Sequence, residues 1–230
     1  MKKKAYVLGV AVLLAALLGM AGAAQSAMWV GAELGGNFPA NTTIEAGGFS
    51  TGSTPINPAV IGGATIGYDF INSGFGGYAW PDWMKYFSFA VDVTYNKMDI
   101  YAGSQGIQRF LPPGRRMDGA ATVLTFLFMA HYGFMPDSEV PHGRIHPYIG
   151  VGPGIAFTSI DAGAFGIGSG SQTNIALVVE PGIRWFAFKN VSIDTAYRYR
   201  RLTPSYDVAG ITIEAPLNLH SFLVRANYHF

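Results

Sequence analysis

The sequence of 230 residues has no cysteine and few charged residues. The lack of cysteine excludes a disulfide scaffold, a thiol nucleophile, a Cys-ligated metal and a lipid-modified N-terminal cysteine. Charged residues make up 13% of the chain, whereas a soluble domain carries about 25%. After Met20, no uncharged apolar run is long enough for a transmembrane helix. An apolar chain without such runs is typical of a membrane β-barrel, in which apolar and polar residues alternate.

The start of the chain has the layout of a secretory signal peptide. Three lysines precede an uncharged apolar run from Ala5 to Met20, and a stretch of small residues follows. The candidate cleavage positions follow Ala23, Ala24 and Ala27. A retained membrane helix is the alternative, which the small residues and the lack of a following basic cluster disfavour. We therefore expect a signal peptide over 1–27 and a barrel domain over 28–230.

Eight segments of the mature chain alternate between apolar and polar residues. Successive side chains of a strand point to opposite faces, so each segment predicts a strand with two chemically different faces. In the segment 87–96, for example, Phe89 and Val91 share one face, and Asp92 and Thr94 share the other. The eight segments are 29–38, 60–70, 87–96, 120–134, 145–157, 173–186, 191–200 and 217–230. They predict an all-β fold, an eight-stranded antiparallel transmembrane β-barrel.

The connections between these segments also alternate in character. One set is long and rich in Gly, Ser, Thr, Pro and Asn. In the other set 187–190 is a short turn and 135–144 is moderate in length, but 71–84 is too long for a tight turn. The long set covers 39–58, 98–118, 158–171 and 203–215. Long extracellular loops and short periplasmic turns are typical of outer-membrane barrels.

Four stretches resemble the OmpA-like and Opa-like family of small outer-membrane β-barrel proteins. They are His146 to Gly154, Glu180 to Arg184, Asp194 to Arg200 and the terminal Tyr228 to Phe230. The resemblance implies location in the outer membrane of a bacterium with two membranes, among outer-membrane lipid and lipopolysaccharide. It also implies that Phe230, with Tyr228, is read by the barrel-assembly machinery. We expect a monomer, and the fold alone does not specify an activity.

The predicted inward face carries charges of both signs. Its members are Glu33, Asp69, Asp92, Glu180, Arg184, Asp194, Arg198, Arg200 and Arg225. Buried charges are costly unless they are paired, and an eight-stranded barrel is just wide enough for side chains to fill. The set predicts a network of ion pairs that plugs the lumen. A charged constriction in a narrow channel is the alternative.

Two prolines fall within the predicted fifth and sixth strands, on the lipid face. Pro153 and Pro181 cannot donate to a strand ladder, and a hairpin closing around 165–168 would place them at similar heights. Small and apolar lumenal residues, such as Gly150 and Leu127, lie beside this candidate seam. Palmitoyltransferase-type barrels resemble it in using proline-weakened seams, which makes a lipid-accessible pocket an alternative to ordinary bulges.

The second long loop contains a basic cluster of Arg109, Arg115 and Arg116. Such a cluster could hold the phosphates of lipopolysaccharide or another anionic ligand. A solvated loop without a ligand is the simpler interpretation.

Catalysis, cofactors and metals have little support in the sequence. His220 and Ser221 are adjacent, so a strand directs them to opposite faces and disfavours a base–nucleophile pair. His131 is expected to be a lumenal histidine at mid-barrel, with no convincing serine nucleophile near it. His142 and His146 have ligand-like spacing only on a helix, which neighbouring prolines disfavour, so we expect a turn with two solvated histidines. The mature chain, with a net charge near −2 after loss of the three lysines, also lacks the basic patch of a nucleic-acid-binding protein.

The sequence thus predicts a plugged outer-membrane barrel with a structural or surface-interaction role and no catalysis. A barrel that binds lipid or a small hydrophobic ligand, including a lipid A-modifying barrel, is the second hypothesis. A narrow channel is the third. A soluble calycin-like barrel would require an apolar interior, which the inward arginines and acids disfavour.

Overall fold

The structure, a computed structural model, describes residues 27–46, 49–71, 79–101, 116–161, 169–208 and 211–230. These residues form mainly strands and one short 3-10 helix, Asp82–Tyr86. The strands are β1 Met28–Pro39, β2 Thr42–Ala46, β3 Phe49–Thr54, β4 Ala59–Asp69, β5 Phe87–Lys97, β6 Ile100–Tyr101, β7 Arg116–His131, β8 Ile145–Asp161, β9 Ser169–Phe188, β10 Val191–Leu202, β11 Ser205–Val208, β12 Ile211–Glu214 and β13 Leu217–His229. Within the described ranges, no helix is long and apolar enough to cross a membrane.

Eight long strands form a closed antiparallel barrel. Around the barrel their order is β1, β4, β5, β7, β8, β9, β10 and β13. Closure comes from the first and last strands, which pair from Trp29 opposite His229 to Pro39 opposite Leu219. Each of the eight predicted segments corresponds to one of these strands, so the sequence prediction of the fold is confirmed.

The side chains alternate between the two surfaces of the barrel wall, as the period-two pattern predicts. On β13, Phe222 and Val224 are 60% and 54% exposed on the outer face. Leu223 and Arg225, which follow them in alternation, are 2% and 1% exposed on the inner face. The outer wall is therefore apolar, whereas the interior contains both aliphatic and charged side chains.

One end of the barrel carries an additional four-stranded sheet in the order β11, β12, β2 and β3. The predictions of loops over 39–58 and 203–215 are therefore wrong in part. Runs such as Thr42–Thr43–Ile44 and Ile211–Thr212–Ile213 are β-branched, and β-branched residues favour extended backbone. The connections 98–118 and 158–171 are also shorter than predicted, because β7, β8 and β9 extend into them.

The opposite end holds both ends of the barrel, the two-residue turn between Phe188 and Val191, and the connections 70–86 and 132–144. The backbone N–H of Phe230 donates to the carbonyl oxygen of Met28 at 3.0 Å. In the β7–β8 connection, Arg144 Nη2 donates to Glu139 Oε2 at 2.8 Å, and Arg144 also pairs with Asp137. The backbone N–H of Val140 and the Arg144 guanidinium lower the pKa of Asp137. The two-residue turn between Phe188 and Val191 is of the kind expected on the periplasmic side.

Candidate functional site: the barrel lumen

The nine predicted lumenal charges all point into the barrel. Eight of them are buried, with exposures of 4% or less, and Asp69 is partly exposed near the end that holds the chain termini. Their placement follows from strand parity, since an even spacing along one strand keeps side chains on one face. The arrangement brings acids and arginines from β1, β4, β5, β9, β10 and β13 together.

Arg198 is the centre of the charge network. Its Nη1 lies 3.3 Å from Glu33 Oε1, and its Nη2 lies 2.5 Å from Asp92 Oδ2. It also pairs with Glu180 on the neighbouring strand β9. β10 and β5 are four strands apart in a ring of eight, so the Arg198–Asp92 pair spans the diameter of the lumen.

Two further arginines extend the network toward the end that holds the termini. Arg225 Nη2 lies 2.7 Å from Glu33 Oε2 and 3.1 Å from Glu180 Oε1. Arg184 Nε donates to Asp194 Oδ1 at 3.1 Å. Its Nη1 also lies 3.7 Å from Asp69 Oδ1 on β4, which again is four strands away around the barrel. Charge pairs therefore cross the lumen at two heights.

Arg200 differs from the other three lumenal arginines. Its Nη1 donates to Thr94 Oγ1 at 3.0 Å and its Nη2 to Ser221 Oγ at 3.4 Å. Among the described residues, no carboxylate lies within ion-pair distance of it, and its Nε has no hydrogen-bond partner. Arg200 contacts β5 across the lumen through a hydrogen bond to a neutral side chain. It lies at the limit of the charge network on the side of the four-stranded sheet.

Beyond Arg200 the lumen becomes mainly apolar, although Asn37, Asn96 and Thr158 are also buried there. The side chains there are mainly aliphatic and come from strands all around the barrel. They include Ile61, Met98, Ala121, Val123, Ala156, Ala176, Val178, Leu202, Leu217 and Leu219. Most of these side chains have no accessible surface, so they pack against one another at close contact.

Aromatic and histidine side chains close the other end of the lumen. Trp29 is fully buried, its Nε1 donates to Asp69 Oδ1 at 3.2 Å, and the Arg184 guanidinium lies 4.4 Å from its ring centroid. His229 packs against Phe186 with ring centroids 4.7 Å apart and the ring planes tilted by 44°. Sequence reasoning did not select Trp29, although it shares the face of Glu33 on β1, and that parity was the available signal.

Two histidine placements correct the sequence predictions. His131 was expected at mid-barrel but is the last residue of β7, near the end that holds the termini. His146 was expected to be solvated in a turn but is 7% exposed, and its Nε2 lies 2.8 Å from the Gly143 carbonyl oxygen. The reason is that β8 begins at Ile145, so the next side chain points inward. Within the described residues, no group of three His, Asp or Glu side chains has metal-binding geometry.

The two prolines lie on the outer face, but not at similar heights. Pro181 pairs with Ile149, and Pro153 pairs with Leu177, four register positions away. The β8–β9 ladder is continuous along its length, so the seam expected between these strands is not where the pairing is interrupted. The register instead skips two positions between β7 and β8 beside Pro153, and two between β9 and β10 beside Pro181. The backbone nitrogen of each proline, which carries no hydrogen, is therefore on the side of the interrupted ladder and not on the β8–β9 side.

The remaining predicted residues are placed as follows. Tyr228 is exposed on the outer face, with its ring centroid 5.4 Å from that of Phe230. Arg109 and Arg115 lie outside the described residues, as does the side chain of Arg116. Neither the assembly signal nor the anionic-ligand loop is tested by these positions, and both stay predictions.

Comparison with known proteins identifies the fold. A family model described as outer membrane protein beta-barrel domain matches residues 11–230. The outer membrane protein OprG from Pseudomonas aeruginosa is 11% identical with a TM-score of 0.59, covering 90% of this chain and 99% of that one. Neisserial surface protein A is 17% identical with a TM-score of 0.52, covering 88% and 97%. No curated protein matches the chain. The chain therefore belongs to the outer membrane protein beta-barrel domain family and is located in the outer membrane.

Proposed function

We propose that this protein is a non-catalytic outer-membrane barrel with a closed lumen and a structural or surface-interaction role. The observation that supports this most is the Arg198–Asp92 pair, which joins opposite walls of the barrel at 2.5 Å. Glu33 and Glu180 complete the same cluster. A solute would have to separate these buried charges in order to pass, and breaking a buried pair costs on the order of 3–5 kcal/mol.

The apolar half of the lumen supports the same proposal. Val123, Val178 and Leu219 each have no accessible surface, so side chains occupy the space that a water column would need. Polar, hydrated walls are the ordinary lining of an open porin channel. The lumen of this protein combines cross-linked charges at one level with dry packing at the next.

The four-stranded sheet beyond the barrel supports a role at the cell surface. It stands at the end opposite the chain termini and the two-residue turn between Phe188 and Val191. Long connections are extracellular in barrels of this kind. A paired sheet on a rigid barrel would present exposed side chains such as Glu45 and Glu214 in fixed positions.

The geometry around the sequence's candidate nucleophile favours a non-catalytic role. Ser221 points into the lumen and donates to Asn37 Oδ1 at 2.9 Å. His220 points outward, and its Nδ1 lies 2.5 Å from Tyr197 Oη. The barrel wall separates the two groups, so they cannot act as nucleophile and base.

Planar-bilayer recording of the refolded mature chain tests the closed lumen. We expect no stable unitary conductance from the parent protein. A reproducible single-channel conductance that changes in the Arg200→Gln variant, at the boundary of the two lumen halves, would contradict a closed lumen. Arg201→Gln, on the adjacent outward-facing position, is the matched control.

Envelope assays separate the structural role from the surface role. Cells that lack the protein would be complemented either by the parent or by a barrel in which short turns replace 42–54 and 205–214. Restoration of detergent resistance by both proteins indicates a structural role of the barrel. Restoration by the parent alone indicates that the sheet carries the function. Restoration by neither would contradict the proposal.

The second candidate function is binding of a small hydrophobic ligand or lipid. The interrupted β7–β8 ladder beside Pro153 favours it, because an incomplete ladder is where an acyl chain can enter the barrel wall. Native mass spectrometry of the purified barrel tests this candidate. Retained lipid that is lost in a Val178→Phe variant would support it, whereas a barrel free of lipid would exclude it.

A further inference from the structure

The outer wall carries a cluster of polar side chains where apolar residues are expected. It consists of Tyr197, Tyr199 and Arg201 on β10 and Asn218 and His220 on β13, and we call it the outer polar cluster. Strand parity places all five on the face that also carries Phe222 and Val224. An ionisable residue on the lipid face is expensive and usually functional, so the cluster requires an explanation.

The cluster is ordered by its own contacts. Tyr197 Oη lies 2.5 Å from His220 Nδ1, and the ring centroids of Tyr199 and His220 are 5.4 Å apart. Tyr199 donates its hydroxyl hydrogen to Asn218 Oδ1 at 2.7 Å. This bond uses the acceptor of Asn218 and leaves its Nδ2 hydrogens directed to other partners. The cluster is therefore a preorganised set of donors rather than a group of freely rotating side chains.

Arg201 provides the positive charge of the cluster. Its register partners are Asn218 on β13 and Leu177 on β9, and its side chain is exposed. Among the described residues no carboxylate forms an ion pair with it. A guanidinium has five donors in a planar fork, a geometry that matches phosphate.

The height of Arg201 in the membrane determines which lipid group it meets. Tyr228, opposite Val191, lies near the periplasmic end of the wall. Arg201 lies ten residues farther along β10, which at about 3.3 Å per residue and a tilt of about 40° is about 25 Å. The apolar band of an outer-membrane barrel is also about 25 Å tall. Arg201 is thus at the headgroup level of the extracellular leaflet, and His220 lies just below it.

We propose that the outer polar cluster binds the phosphate of lipid A, the lipid anchor of lipopolysaccharide in the extracellular leaflet. Arg201 holds the phosphate, Asn218 Nδ2 donates to the phosphate or to the sugar, and the tyrosine and histidine rings pack against the first acyl carbons. The site lies on the outside of the wall. It is independent of the closed lumen, so the failure of either proposal leaves the other intact.

Lipid titration of the intact mature chain in phosphatidylcholine nanodiscs tests the site, with bound lipid measured by native mass spectrometry. We expect the parent to retain lipid A, and Arg201→Gln to lower the affinity about tenfold, as expected for loss of a charge-assisted hydrogen bond. Arg201→Lys should lose only part of it, and Tyr199→Phe should weaken binding by a few-fold. The matched control is Lys97→Gln, an outward cation at the end of β5 on the opposite wall, which should bind as the parent does.

Several results would overturn the proposal. One is that Arg201→Gln retains as much lipid A as the parent does. Another is that Lys97→Gln loses as much affinity as Arg201→Gln, and a third is that the parent binds dephosphorylated lipid A as tightly as lipid A. Competition by phosphatidylglycerol as strong as that by lipid A would assign the cluster to phospholipid instead and would also reject it. All variants must show the heat-modifiable gel migration of the folded parent, which is expected because Arg201 and Lys97 are exposed.

Discussion

The two halves of the lumen solve the same packing problem with opposite chemistry. Toward the end that holds the termini, Arg184, Arg198 and Arg225 are each surrounded by carboxylates. Toward the sheet-bearing end, Val123 and Leu219 pack among aliphatic side chains without accessible surface. Arg200 stands between the halves, buried like its neighbours but without a carboxylate partner among the described residues.

The charged half fixes the register of the strands, because a slip of one residue would move every lumenal arginine into lipid. The apolar half contributes mainly the burial of aliphatic side chains.

The largest effect is expected from removal of the network's central cation. Arg198→Ala leaves Asp92 without an ion-pair partner among the described residues, and it leaves Glu33 and Glu180 to share Arg225. We expect a loss of about 3–5 kcal/mol in the free energy of unfolding, measured by urea titration in lipid vesicles. Arg201→Ala, one position along on the outer face, should change it by less than about 0.5 kcal/mol. Equal stability of Arg198→Ala and the parent would show that the charge pairs do not hold the lumen together.

A cavity in the apolar half should cost somewhat less. Leu219→Ala removes a fully buried side chain, and such truncations cost about 2–5 kcal/mol because the surroundings relax only partly. Val224→Ala on the outer face of the same strand should cost under about 1 kcal/mol, since lipid replaces the lost contacts. If Leu219→Ala and Val224→Ala unfolded at the same urea concentration, the apolar half of the lumen would not be closely packed.

Substitution of Arg200 tests where the boundary between the charged and apolar halves of the lumen lies. Arg200→Met replaces a buried cation, which has no carboxylate partner in the described part of the chain, by an apolar side chain of similar length. We expect the free energy of unfolding to change by no more than about 1 kcal/mol, because lost hydrogen bonds to Thr94 and Ser221 offset the removed desolvation cost. A loss as large as that of Arg198→Ala would place Arg200 inside the charge network rather than at its edge.

The smallest effect is expected from the solvated ion pair in the β7–β8 connection, which serves as the reference for the buried ones. The backbone N–H of Val140 and then Arg144 lower the pKa of Asp137 below its ordinary value. The stabilisation is therefore present above the unfolded pKa of about 3.9 and is lost as pH falls through the folded value. In the parent we expect the turn to become more sensitive to limited proteolysis as the pH falls from 6 to about 3. In Asp137→Asn this increase with falling pH should be absent. An unchanged pH profile in Asp137→Asn would show that the pair does not order the turn.

Much of the fold was predictable because barrel strands carry a period-two pattern that needs no tertiary information. The inward positions of Glu33, Asp92 and Arg225 follow from parity alone, and the structure confirms them. The partner of each charge was not predictable, since Arg198 and Asp92 are 106 residues apart in sequence. Parity within the predicted segment 145–157 also places His146 inward, and the prediction of a solvated turn was wrong because it did not apply that parity to the second residue of the strand.

The register of the prolines was also beyond the sequence. A shift of the assumed hairpin centre by two residues moves the pairing of Pro153 and Pro181 by four positions, and nothing in the loop sequence determines that centre. The four-stranded sheet was missed for a related reason, because its strands are short and β2 pairs with the distant β12. Local propensity indicates extended backbone in such segments but cannot supply the partner strand.

The sequence by itself determined the membrane barrel, the number of its strands and which side chains enter the lumen. These depend on alternation, low charge and the lack of spanning helices, which are properties of the chain alone. Only the tertiary structure decided which charges meet across the lumen, where the charged half ends and where the polar cluster lies on the outer wall. Those features depend on register and closure, which bring together residues from opposite walls and distant strands.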